Sequence, residues 1–170
     1  MTHAPPISMM GPAEDPVLRR LVRRCPRIVQ VASLEALAEH LELRAAFRPE
    51  GPTTLDLIGH SAPNNLLRFA GTVVDMFQPE VAAFFSELSR RTLLDRLQVT
   101  GVRLLGCHTA RGPAAHRSIR QLSRTLRRPV WGTVTALLGS HYEADGFHPA
   151  FRDLLVSAAD LPVRTAEPHA

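Results

Sequence analysis

The chain contains no lysine: all 20 of its basic Lys/Arg positions are arginine. That absence removes a G-x-x-x-x-G-K phosphate loop, which needs its lysine, and lysine Schiff-base catalysis. Aromatics are scarce, with one Trp and one Tyr. Stacking platforms for single-stranded nucleic acid are therefore not expected, and a net charge of +4 is modest for 170 residues. Only two cysteines are present, Cys25 and Cys107, too few for a disulfide framework and without a C-x-x-C. No apolar run approaches the roughly 18 residues of a membrane span. The opening MTHAPPISMMGPAEDP lacks the basic and apolar regions of a signal peptide, so a cytoplasmic protein with no membrane partner is expected.

What is present is enough apolar residue, 45%, for one packed domain. The Pro-rich residues 1–16 and the segment 163–170 read as flexible tails around a single domain, 17–162. Short apolar runs at RIVQVAS, TTLDLIGH, GVRLLG and PVWGTVTAL predict buried strands. Between them, Leu34, Leu37, Ala38 and Leu41 mark one helix after a Ser33 cap. Val81, Phe84, Phe85 and Leu88 mark a second, with its pattern running on to Leu97, and Ala115, Ile119, Leu122 and Leu126 mark a third. His148–Ala158 reads as a further short helix. Alternating strands and helices predict an α/β sandwich with a mostly parallel sheet, whose sites form beyond the strands' carboxyl ends.

Two strands end in chemistry-bearing residues: one in Gly59-His60, the other in Gly106-Cys107. If they are neighbours, both side chains emerge at one edge. A thiolate attacks acyl carbon well, and an imidazole can take its proton and return it to the leaving amine. Backbone N–H groups just past each glycine could face the oxyanion. Ser61 offers a competing reading, because G-H-S begins a G-x-S-x-G elbow. The fifth position is Pro63, however, and no HGGG-type segment precedes it; Asp145 and His148 follow as acid and base candidates.

A strand ending in His, then about 50 residues, then a strand ending in Cys is the order of caspase-type peptidases. LDLIGHS and VRLLGCHTA resemble the His and Gly-Cys blocks of the caspase–gingipain group. They are closest to the self-cleaving protease domains of bacterial toxins and to small bacterial caspase-like proteins. The resemblance covers roughly Ile28 to Leu155. It implies a caspase-like three-layer sandwich and a cysteine endopeptidase making limited cuts in a specific protein partner. It further implies Cys107 as nucleophile, His60 as base then acid, and the N–H groups of Ser61 and Cys107 at the oxyanion. No metal or organic cofactor is called for, while an activating ligand or partner protein is conceivable. Trp131, Glu143 and Asp145 lie in the region that forms one wall of the specificity pocket in that group. Ser61 stands where the group usually has glycine, which leaves a catalytically inactive interaction module as the alternative. His108 could tune the thiolate by proximity. Cys25 reads as structural, and the Arg117, Arg120, Arg124 and Arg127 stripe as a solvated helix face.

Overall fold

A computed structural model describes residues 4–162. In chain order it contains β1 (Ile7–Met10), α1 (Pro16–Arg24), β2 (Val29–Gln30), α2 (Leu34–Ala45) and β3 (Thr53–Ile58). The short strands β4 (His60–Ser61), β5 (Leu67–Phe69) and β6 (Thr72–Val73) follow, then α3 (Pro79–Arg90), α4 (Leu93–Arg96) and β7 (Val99–Leu105). The last elements are α5 (Pro113–Leu126), β8 (Val130–Thr133), β9 (Tyr142–Glu143), β10 (Gly146–Phe147) and β11 (Leu155–Ser157). The central sheet has six strands in the order β11-β8-β7-β3-β1-β2. All neighbours are parallel except β11, which runs antiparallel to β8 at the edge.

Both faces of the sheet are covered, so the strands are largely apolar on each. Leu55, Leu57, Val102, Leu104 and Val130 pack on one side against Leu37 and Leu41 of α2, Phe85 and Leu88 of α3, and Ile119 and Leu122 of α5. Met10, Ile58 and Leu105 pack on the other side against Leu21 of α1, Cys25, Tyr142 and Phe147. The fold is thus an α/β assembly with a mostly parallel sheet between helical layers. Burial holds the Tyr142 phenol well above its ordinary pKa, with the Asp56 charge acting in the same direction.

Three expectations need correction. The segment 1–16, expected as a flexible tail, carries β1, which lies between β2 and β3 with Met9 and Met10 fully buried. A four-residue strand buried on both faces has no alternation to read, and Pro5-Pro6 and Gly11-Pro12 frame it as if it were a linker. His148–Ala158 is not one helix. A 3-10 turn over Pro149–Leu154 leads straight into β11. The helical pattern from Val81 to Leu97 is broken at Thr92, which takes a left-handed φ of 52°. The segment 163–170 lies outside the described residues, and no helix among those described is long and apolar enough to cross a membrane.

One ion pair lies inside the sheet. Asp56 of β3 is completely buried and receives two parallel N–H bonds from Arg103 of β7, each 2.6 Å. Burial pushes the Asp56 carboxyl up, and the guanidinium opposes that. Arg103 also lies 5.4 Å from the centroid of the Phe147 ring. Removing one partner strands the other charge, so Asp56→Ala is expected to cost about 3–5 kcal/mol in a urea titration. Asp56→Leu combined with Arg103→Met is expected to recover most of that loss.

Candidate active site

β3 and β7 are adjacent and in register, with Ile58 opposite Leu105. The pairing continues one step further, where the Gly59 N–H donates to the Leu105 carbonyl at 3.2 Å. His60 and Cys107 therefore leave the sheet at the same edge from neighbouring strands. The glycine before each has a steric cause. A Cβ on Gly59 would lie 2.0 Å from the Arg68 carbonyl oxygen. On Gly106 it would lie 2.8 Å from Leu67 Cδ1. The antiparallel β4–β5–β6 meander crosses both strand ends, and only glycine leaves it room. Beyond Gly106, the Cys107 N–H has no acceptor among the described residues and remains available to an incoming oxygen.

His60 sits on β4 opposite Arg68, with its side chain half exposed. Its Nε2 lies 2.6 Å from Oδ2 of Asp15. Asp15 is the N-cap of α1, and its other oxygen, Oδ1, accepts from Val17 N at 2.8 Å and Leu18 N at 3.0 Å. One carboxylate thus caps a helix and orients a histidine. The His60 hydrogen bond, followed by the Leu18 N–H, holds the Asp15 carboxyl below its ordinary pKa. An ionised carboxylate can only accept, so Nε2 carries the proton and Nδ1 of a neutral His60 keeps its lone pair. A small cleft of about 140 Å³ opens beside this pair, between Leu18, Gly59 and Arg68.

Cys107 is half-buried, and its Sγ accepts from the Leu137 N–H at 3.4 Å. No hydrogen bond joins it to His60 among the described residues. The turn that carries it is stapled to β8. Thr109 Oγ1 donates to the Leu104 carbonyl at 2.7 Å, and Thr133 Oγ1 donates to the Gly106 carbonyl. Thr133 N–H in turn donates to Thr109 Oγ1 at 3.0 Å. The Ser61 hydroxyl donates to the Cys107 carbonyl, which ties the histidine segment to the cysteine segment. That hydroxyl is engaged with a backbone acceptor rather than with a histidine.

The structure brings His60, Ser61 and Cys107 to one edge, but not Trp131. That residue pairs with Arg103, and its ring covers Gly101, where a Cβ would come within 2.2 Å. It therefore lies toward the opposite end of β7 from Cys107. Asp145 pairs with Arg27 at 3.0 Å, and Glu143 lies 3.5 Å from His148 Nε2; both carboxylates are largely exposed. His108 takes a φ of 60°, and its Nδ1 lies 3.4 Å from the Val134 carbonyl oxygen. Among the described residues, no three His, Cys, Asp or Glu side chains gather as a metal site. Asp15 was missed. Its signal was a cap followed by proline at the first helical position, Asp15-Pro16, which announces the helix but not the histidine. No family model matches the chain, and no curated protein does.

Two outcomes check this geometry. Gly59→Ala is expected to lower stability by about 1–3 kcal/mol in thermal melts, because the new methyl meets backbone. Asp15→Ala is expected to cost about 1 kcal/mol through the lost cap, while Asp15→Asn, still a good cap, costs little. A depressed carboxyl pKa stabilises the fold above the ordinary value of 3.8, and that contribution fades as pH falls through the folded value. Acid titration of Asp15→Asn should lack that component.

Proposed function

We propose that this chain is a caspase-like cysteine endopeptidase with Cys107 as nucleophile and His60 as base. The observation that carries the reading is the placement of His60 and Cys107 at one edge of adjacent, in-register parallel strands, with His60 held by a carboxylate. Asp15 is a positioning residue here: it fixes the imidazole's tautomer and orientation. His60 Nδ1 takes the thiol proton, and the thiolate attacks the peptide carbonyl carbon. The oxyanion is met by the Cys107 N–H and, as the resemblance implies, that of Ser61. The tetrahedral adduct collapses to a thioester as the C–N bond breaks. His60 gives its proton to the departing amine, and water then hydrolyses the thioester. The substrate is a protein segment cut at a limited number of positions.

A second reading has its own observation. The Cys107 sulfur is bonded to the Leu137 N–H and not to His60, which suits a caspase-like binding module that has lost catalysis, or a resting enzyme whose 135–138 loop must move. Labelling with peptide-based thiol traps carrying basic, acidic or apolar leading residues separates these readings, with mass spectrometry locating the adduct. The expected outcome is a single adduct on Cys107, slowed by about 10²–10⁴-fold in His60→Ala and slowed in Asp15→Asn despite near-native stability. Ser61→Ala should still be labelled, which removes the serine-hydrolase alternative. Absence of any adduct on folded protein would favour the second reading over an enzyme active as it stands.

A further inference from the structure

α1 is nine residues long and contains four arginines and no acid. Its face toward the 139–141 turn forms one wall of a cleft of about 610 Å³ lined by Val17, Arg20, Arg23, Arg24, Gly139 and Ser140. None of these three arginines pairs with a carboxylate among the described residues. Two are pinned at Nε: Arg24 donates to the Tyr142 carbonyl at 2.7 Å, and Arg20 to the Pro16 carbonyl at 3.2 Å. Their terminal nitrogens are left for a ligand, so part of the ordering entropy is already spent. Val17, 57% exposed, lies on this wall, and Leu138, 59% exposed, adjoins Gly139. Both walls run back to the candidate site: α1 begins at Asp15, which holds His60, and the turn follows Leu137, whose N–H meets the Cys107 sulfur.

We propose that this cleft docks an acidic, apolar-flanked peptide segment of the substrate, set to one side of the bond that is cut. Carboxylates of the segment meet Arg20, Arg23 and Arg24, and an apolar side chain covers Val17 and Leu138. The cleft has no aromatic lining on which bases could stack, which favours peptide over single-stranded nucleic acid. The size suits a few side chains. The inference rests on the peptidase reading for its purpose, but the binding it asserts does not depend on catalysis.

The test uses the full chain carrying Cys107→Ala and fluorescence anisotropy with three labelled peptides of equal length. One alternates Asp or Glu with Leu, one replaces the acids by Lys, and one replaces them by Ser. The acidic peptide is expected to bind at least about tenfold more tightly than the neutral one, with affinity falling as salt rises. Arg20→Glu with Arg23→Glu should cost at least another tenfold, while Arg117→Glu with Arg124→Glu, the same charge change on α5, should cost little. Circular dichroism of each variant confirms folding. Equal losses in both double variants would reduce the effect to net charge and overturn the site. Absence of binding would overturn it too, as would tighter Arg20- and Arg23-dependent binding of a single-stranded oligonucleotide. Failure of thiol labelling in the wild-type chain leaves this measurement intact, so the two proposals fail separately.

Discussion

The Asp56–Arg103 pair sets the register on which the candidate site depends. A carboxylate with no solvent access is tolerable only opposite its guanidinium, and the two residues face each other across β3 and β7. A slip of one residue would place Asp56 beside Val102 or Leu104, turn every side chain of the strand to the other face, and leave two buried charges unmatched. His60 lies as far along the chain beyond Asp56 as Cys107 does beyond Arg103. The pin in the sheet interior therefore decides that the two residues at its edge arrive level.

Above that pin, the site is assembled from contacts that each serve two elements. The Asp15 carboxylate divides its oxygens between the first turn of α1 and His60. The Ser61 hydroxyl spans the gap between the two strand ends. Thr109 and Thr133 exchange bonds that hold the turn after Gly106 against β8. Glycine at 59 and 106 makes this crowding possible, because β5 passes where side chains would otherwise stand. The Gly-His and Gly-Cys pairs thus have a packing cause in this fold, alongside the access they leave to the backbone beyond.

Much of this was legible in the chain. TTLDLI and the run ending VRLLG are dense apolar segments, and doubly buried parallel strands have that texture. Helices α2 and α5 announce themselves by apolar spacing, and the Ser33 cap by its place before Leu34. The breaks were not legible. Thr92 takes a left-handed φ without glycine, so the sequence pattern runs through it. β2 is only two residues of a longer apolar run, because a sheet edge shortens what propensity would extend. The partners of side chains were hidden most deeply. Arg103 looked like one more arginine in a strand, and Asp15 like a residue in a loose leader. Their roles come from which strand and which helix lie alongside, which local spacing does not encode. Trp131, Glu143 and Asp145 were chosen by their position after the cysteine strand, but the register turns Trp131 onto Gly101, and Arg27 and His148 lie beside the two acids.

β1 has a consequence for how the molecule comes into being. It precedes every other described strand in the chain, yet it is interior to the sheet, and its partner Leu55 is made some 48 residues after Ile7. Until then Met9 and Met10 belong to an unpaired apolar segment of a growing chain. The nascent protein must keep that segment from other partners, and the sheet closes around it only when β3 arrives. The same threading means that a proteolytic cut just after Pro12 would threaten an interior strand of the sheet, with β2 and β3 on either side of it.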